Sequence, residues 1–144
     1  TPKVSEAIAL AAKIKGLKEL SLDRTNVTDK GVRHLRKLPL VYFNAWHTQI
    51  GDKSLGYIAG MDTMEQLQIK GCTRVTDAGV AKLAMRKQLW MVNLSGCLRI
   101  TDESVRTLSG MPSIQFIQVF DCPNVSEEAV EDFRYSMQNR MIDH

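Results

Sequence analysis

Apolar residues recur along this chain with a period of about 25 residues. Each unit opens on an apolar residue, and successive openings lie 23, 24, 25 and 25 residues apart, at Leu17, Leu40, Met64, Leu89 and Ile114. Five tandem units of this length are typical of a solenoid, in which each unit stacks on the next. We therefore predict one repeat architecture for nearly the whole chain.

Each unit combines the pattern of a short strand with that of a helix. In the third unit, Leu67 and Ile69 alternate with polar residues, as expected of a strand. Val80 and Leu83 then have the spacing of one helix face, and Thr76 occupies the expected N-cap position. A strand and a helix of this size cannot bury their apolar faces alone, so neighbouring units must share a core.

The two ends of the chain each predict a helix. Residues 4–15 are rich in alanine, a strong helix former, and Ile8, Ala11 and Ile14 have the spacing of an inward face. A second helix, at about 127–140, is expected to cap the core, because terminal repeats need a polar outer face. The first helix fits either an N-terminal cap or the helical half of a repeat that begins before Thr1. We predict a single domain of residues 1–144, either complete or a fragment of a longer protein.

The later units fit the pattern L-x-x-L-x-L-x-x-C-x-x-I-T-D-x-G-V-x-x-L, as in LWMVNLSGCLRITDESVRTLSGM of residues 89–111. This pattern resembles the cysteine-containing class of leucine-rich repeats, which is common in F-box substrate receptors. The first two units have Thr25 and Thr48 at the cysteine position and resemble repeats of bacterial leucine-rich repeat proteins. The resemblance implies an α/β, right-handed leucine-rich repeat solenoid, with a parallel sheet on the concave face and helices on the convex face.

Three cysteines occupy one repeated position, just after each of the last three predicted strands, at Cys72, Cys97 and Cys122. Their spacing lacks the close pairs of a zinc site, and the odd number argues against a full disulfide framework. We interpret them as buried structural thiols, with redox and nucleophilic roles as weaker alternatives. Free thiols favour a reducing compartment, so we expect an intracellular, cytoplasmic protein.

A second column consists of acidic residues in the first turn of each predicted helix, at Asp29, Asp52, Asp77, Asp102 and Glu127. The helix dipole and the unpaired N–H groups of the first turn favour carboxylates at this position. That role accounts for the column without a cation, and Gly31 and Gly79 in the same turn indicate close helix packing. We predict neither a metal site nor a cofactor.

The charge of the chain points to no nucleic-acid partner. The formal net charge is only +3, and the densest basic cluster, residues 33–37, lies between apolar helix positions. We interpret that cluster as a solvated helix face, with contact to an acidic partner as the alternative. No apolar run approaches the roughly 18 residues that a membrane span needs.

The residues between the fixed positions of the repeat are the candidates for function. Outward-pointing residues of equivalent strands line up across stacked units and form columns on the exposed face. These columns combine an amide-rich centre with large apolar side chains, which soluble surfaces seldom gather without a use. We predict partner binding by Tyr42, Asn44, Trp46, His47, Gln68, Met91, Asn93, Phe116, Gln118 and Phe120. The alternative is that the rings only pack on one another across the strands.

The sequence thus predicts a non-catalytic module that binds a protein or peptide on its strand face. Two alternatives stay open: a structural subunit or scaffold segment of a larger assembly, and the substrate-recognition part of a ubiquitin ligase adaptor. His47 and Cys72 are the best base and nucleophile pair for an enzyme, but no orienting acid or oxyanion donor accompanies them. We therefore predict no catalytic residue.

Overall fold

A computed structural model describes residues 2–142 of the chain and the side chains of residues 4–140. The predicted domain also includes Thr1, Asp143 and His144, which lie outside the described residues. Helices and strands alternate in the order α1 Pro2–Ala12, β1 Glu19–Ser21, α2 Asp29–Arg33, β2 Tyr42–Asn44, α3 Asp52–Ala59, β3 Gln66–Gln68, α4 Asp77–Ala81, β4 Met91–Asn93, α5 Asp102–Ser109, β5 Phe116–Gln118 and α6 Glu127–Ile142. A short 3-10 turn, Lys82–Met85, follows α4.

The five strands form one parallel sheet in chain order. Equivalent positions of successive repeats pair directly, so Phe43 pairs with Leu67, Leu67 with Val92, and Val92 with Ile117. The prediction of stacked strand and helix units in an α/β fold is confirmed. Each strand has only three residues, so the sheet depends on packing against the helices for its stability.

One continuous hydrophobic core lies between the sheet and the helices. The central strand residues Phe43, Leu67 and Val92 are at most 1% exposed, and they belong to one cluster with helix residues such as Leu55 and Val105. Burying a side chain of this size stabilises the fold by about 1.5–3 kcal/mol. Since each repeat supplies only a few such residues, no repeat can form its own core.

The acidic residues at the helix N-termini connect neighbouring repeats, and we call Asp29, Asp52, Asp77 and Asp102 the carboxylate ladder. The Asp77 carboxylate accepts hydrogen bonds from the backbone N–H of Thr101 at 2.9 Å, from Thr101 Oγ1 at 2.7 Å and from Ser104 Oγ at 2.5 Å. The other three carboxylates also accept bonds from the next repeat. The helix-dipole interpretation was therefore incomplete, because it considered each helix alone.

The hydrogen bonds of Asp77 and Asp102 favour the charged form of these two carboxylates. Burial opposes ionisation of Asp77, but the bonds from Ser104 and Thr101 outweigh it, so the pKa of Asp77 is lowered. The backbone N–H and the hydroxyl of Ser126 likewise lower the pKa of Asp102.

The three cysteines are buried free thiols that bond to the preceding repeat. Each Sγ donates to a backbone carbonyl, Cys72 to Ala45 at 3.1 Å, Cys97 to Ile69 at 3.3 Å and Cys122 to Leu94 at 3.2 Å. Burial raises the pKa of all three thiols, that of Cys97 to about 12. They act as protonated donors inside the core, in agreement with the structural interpretation.

The first helix is shorter than predicted. It ends at Ala12 rather than Lys15, and Ile14, which was expected to face inward, is 54% exposed. The N–H groups of Lys13 and Ile14 bond to carbonyls three residues back, which tightens the chain into a turn before β1.

The last helix packs against α5 and bonds its C-terminal end. The guanidinium group of Arg140 donates to the backbone carbonyls of Ser109, Met111 and Ile114. Ser109 is the last residue of α5, so its carbonyl is one that the helix leaves without an internal partner. Within residues 2–142, every helix is too short or too polar to cross a membrane.

Candidate functional site

The outward side of the sheet carries the predicted columns, and we call it the strand face: the outward-pointing residues of 19–24, 42–47, 66–71, 91–96 and 116–121. The strand pairing aligns Tyr42 with Gln66, then Met91 and Phe116. It also aligns Asn44 with Gln68, Asn93 and Gln118. The pairing thus aligns seven of the ten predicted site residues on one side of the sheet, and Trp46, His47 and Phe120 follow directly after strands β2 and β5.

A hydrogen-bonded amide network crosses the centre of the strand face. Gln68 Oε1 accepts bonds from Trp46 Nε1 at 3.2 Å and from Asn93 Nδ2 at 3.1 Å. Asn44 and Asn93 turn their Oδ1 atoms back to the N–H groups of Trp46 and Ser95, both at 3.0 Å. The network fixes the orientation of the Trp46 ring.

Two predicted site residues are less accessible than expected. Met91 is only 8% exposed and Asn93 only 5%, so the expectation that Met91 offers an open apolar contact is wrong. The Met91 thioether lies 3.7 Å from Gln68 Nε2, within the amide network. Met91 and Asn93 are therefore covered by neighbouring side chains and contact Gln68 rather than solvent.

The aromatic residues differ in how open they are. Tyr42 and Trp46 are half-buried, and the Lys70 ammonium lies 5.4 Å from the centroid of the Trp46 ring, a cation–π distance. Phe116 and Phe120, on the last strand and just beyond it, are 47% and 68% exposed. The open apolar surface is thus concentrated at the C-terminal end of the strand face.

A cleft of about 250 Å³ lies across the strand face, lined by Trp46, Gln68, Lys70, Asn93, Ser95, Gln118, Phe120 and Asp121. Lys70 and Asp121 bring opposite charges to this cleft but were not among the predicted site residues. Lys70 lies two residues after β3, as Trp46 lies two residues after β2, so the alignment that selected Trp46 also indicates Lys70.

A column with left-handed backbone conformation borders the cleft. Arg24, His47 and Asp121 have φ angles of 55–56°, and Gly71 and Gly96 have 74° and 73°. A Cβ at position 71 would lie 2.6 Å from Cε1 of the His47 ring, so a side chain there would displace that ring. His47 is thereby held beside the strand face with its ring over the next repeat.

No model of a known protein family matches this chain, and no curated protein sequence matches it. Solved structures share its fold. The structure "Leiomodin-1 Actin-Binding Site 2" has a TM-score of 0.68 and 13% identity, covering 98% of this chain and 91% of that one. The tropomodulin C-terminal domain of Caenorhabditis elegans has a TM-score of 0.71 and 14% identity, covering 94% and 91%.

At these identities the likeness shows a shared fold of the leucine-rich repeat type and nothing finer. It gives no support to the cysteine-containing class or to the link with F-box receptors. The strand face must therefore be interpreted from its own residues.

The candidate pair for catalysis does not have the geometry of a reactive site. The Cys72 thiol donates to the Ala45 carbonyl, and burial raises its pKa, whereas an activated nucleophile needs a lowered pKa. The His47 ring packs over Gly71 instead. Among residues 2–142, no cluster of three or more His, Cys, Asp or Glu side chains is arranged to hold a metal ion.

Proposed function

We propose that this chain is a non-catalytic protein-interaction module whose partner binds along the strand face. The observation that carries this proposal is the strand register, which places a cleft with an aromatic side chain at each end on one continuous surface. Large aromatic side chains beside fixed polar groups are typical of the centre of a protein interface.

Each part of the surface has a distinct chemical role in this proposal. Phe120 and Phe116 provide apolar contact area, since both are open. Trp46 and Lys70 form a rigid wall at the other end, where the ring can contact apolar groups and the ammonium can pair with a carboxylate. Gln118 supplies an amide between them.

Two finer features belong to the same proposal. Parallel strands joined by crossover connections are right-handed in nearly all proteins, so we keep the right-handed solenoid with a concave strand face. We also keep an intracellular partner, given the three free thiols. Because the Leiomodin-1 structure is named for an actin-binding site, actin is one candidate to test directly.

The test compares a double variant, Trp46→Ala with Phe120→Ala, against a control variant, Tyr135→Ala. Tyr135 is a 67% exposed aromatic on α6, away from the strand face. Partners captured from the native cells are identified by mass spectrometry, and sedimentation with filamentous actin is measured in parallel. We expect the double variant to weaken binding by about 30-fold, the effect of losing hot-spot residues.

Circular dichroism must show that both variants fold like the parent chain. Equal capture by the parent chain and the double variant would contradict the proposal. Loss of capture in the Tyr135→Ala control alone would move the contact to the helices and favour the structural-subunit alternative.

A further inference from the structure

Within residues 2–142, the outer edge of β5 pairs with no other strand. On the inner strand β4, the N–H of Leu94 donates to the Gln118 carbonyl and that of Gly96 to the Phe120 carbonyl, both at 2.8 Å. Val119 is the equivalent of Leu94, and Asp121 that of Gly96, one repeat later. Their N–H groups have no acceptor among residues 2–142.

The alternation of the strand shows which groups face this edge. Phe116, Gln118 and Phe120 use their backbone groups to bond β4, so Ile117 and Val119 direct theirs to the opposite side. The Val119 carbonyl also lacks a partner found in earlier repeats, where the carbonyls of Ala45, Ile69 and Leu94 each accept a thiol from the next unit. Among residues 2–142, the donors and acceptors along this edge therefore have no partners.

An apolar groove of about 450 Å³ accompanies this edge. Helix α6 packs on α5 and leaves a gap beside β5, whose apolar walls include Ile117, Val119, Val130, Phe133 and Met137. A strand placed at the edge would direct alternate side chains into this groove. Its other side chains would extend the strand face beyond Phe116 and Phe120.

We propose that an extended, basic segment of a partner protein adds to β5 as a sixth strand, at the position that a further repeat would take. This inference rests on the proposed function and deepens it, because it names the form of the bound partner. Strand addition at a free sheet edge gains affinity from main-chain hydrogen bonds and specificity from alternate side chains.

The acidic C-terminal end of the chain indicates that the added segment is basic. Residues 101–144 contain three Lys or Arg and eight Asp or Glu, whereas residues 1–50 contain nine and four. Exposed Asp121 lies at the end of the edge, and Arg134, the charged residue that lines the groove, pairs with Glu131 at 2.7 Å. A segment with lysine or arginine beside its apolar residues therefore fits this end.

A second copy of the chain fits less well. Its α1 precedes its own β1 and packs on α2, so stacking β1 onto β5 would bring α1 to the layer that α6 occupies. Pairing β5 with the β5 of another copy would bring two acidic ends together, which costs free energy.

The test uses the full chain as bait for random ten-residue peptides displayed on phage. The affinity of each enriched peptide is then measured by fluorescence anisotropy against the parent chain, Val119→Pro and Ser21→Pro.

Proline at 119 removes an N–H that has no acceptor among residues 2–142, and it blocks the edge. Ser21 faces the free edge of β1, since its neighbours Leu22 and Arg24 bond β2, so Ser21→Pro is the matched control. We expect about tenfold weaker binding with Val119→Pro and no change with Ser21→Pro.

A second measurement does not depend on how the proline variants fold. Single backbone N-methyl groups are placed along the selected peptide, one position at a time. Strand addition predicts that binding falls at every second position only, because only alternate peptide N–H groups point to β5. Loss at consecutive positions, or at none, would overturn the proposal, as would a set of peptides without basic and apolar residues.

The variant Trp46→Ala separates this inference from the proposed function. If Trp46→Ala weakens capture of a native partner and Val119→Pro does not, the strand face binds and the edge inference is wrong. If light scattering shows a dimer of the parent chain that Val119→Pro dissociates, the occupant is a second copy and the proposal is also wrong. Peptide binding that is lost with Val119→Pro, kept with Ser21→Pro and periodic in the N-methyl scan supports it.

Discussion

At the scale of single residues, the repeats differ in how one short polar side chain connects to a backbone carbonyl. Thr25 and Thr48 donate within their own repeat, to Leu22 at 2.7 Å and Ala45 at 2.9 Å. From Cys72 onward, the thiol reaches back to the preceding repeat. The Ala45 carbonyl accepts both Thr48 and Cys72, so it marks the change between the two repeat types.

The buried thiols should be unreactive in the folded chain. Burial raises their pKa values, to about 12 for Cys97, so the reactive thiolate is nearly absent at pH 8. We expect no labelling by a disulfide reagent at pH 8 in the native protein and labelling of all three cysteines in denaturant. Rapid reaction of one native thiol would show that the core is open at that repeat.

The carboxylate ladder should make stability depend on pH. The pKa of Asp77 is lowered from its ordinary value of 3.8, so its charged form stabilises the folded state above that pH. The contribution is lost as the pH falls below 3.8 and through the folded-state pKa. We expect Asp77→Asn to reduce the free energy of unfolding by about 1–2 kcal/mol at pH 7.

Urea denaturation at pH 7 and at pH 2.5 measures this effect. The difference between Asp77→Asn and the parent chain should shrink at the lower pH, because protonation of Asp77 is increasingly favoured below its ordinary pKa of 3.8. Glu103→Gln is the control, because Glu103 is exposed and pairs only with Arg106 of its own helix turn; it should change stability by less than about 0.5 kcal/mol. A difference that is independent of pH would contradict this account.

At the scale of elements, the existence and the order of the strands could be predicted, but side-chain contacts between repeats could not. Leu67 and Ile69 alternate with polar residues, which indicates a strand. The repeat period then predicts which residues of neighbouring strands pair, and the observed pairing agrees. The burial of Met91 and the bonds of Asp77 depend on side chains about 25 residues away. The early end of α1 depends on a turn that alanine-rich composition does not encode.

Helix packing should make Gly79 intolerant of even a methyl group. A Cβ at this position would lie 2.8 Å from Asp52 Cγ and 3.1 Å from Asp52 Cα, and would displace a carboxylate bonded to Thr76. Alanine gains up to about 1 kcal/mol in helix propensity, but overpacking costs about 1–3 kcal/mol.

We therefore expect Gly79→Ala to lower the free energy of unfolding by about 1–2 kcal/mol, measured by urea denaturation. Gly16→Ala is the control, since nothing lies within 4 Å of a Cβ there. A Gly79→Ala variant as stable as the parent would mean that Asp52 and α3 can move to accommodate the methyl group without loss of stability.

At the scale of the whole molecule, the repeats connect in one direction. Each unit presents acceptors to the next through ladder carboxylates and turn carbonyls, and each strand bonds its successor. Within residues 2–142, all three connections reach as far as β5 and α6, where Glu127 takes the ladder position and the Val119 carbonyl accepts no thiol. The exposed rings of Phe116 and Phe120 stand at this same end, so the chain offers its unused bonding groups beside its open apolar surface.

The uneven charge of the molecule should appear in the rate of partner association. The acidic end attracts a basic segment over several ångströms before contact, and salt screens this attraction over a Debye length of about 10 Å at 0.1 M. For the phage-selected peptide, stopped-flow fluorescence should show an association rate that falls steeply between low and high salt. The dissociation rate should change little, because main-chain bonds and apolar contacts hold the bound strand.

Asp121→Asn should weaken the salt dependence of the association rate, whereas Glu6→Gln, which changes an exposed acid at the opposite end, should leave it unchanged. Equal salt dependence in both variants would mean that the peptide approaches another surface.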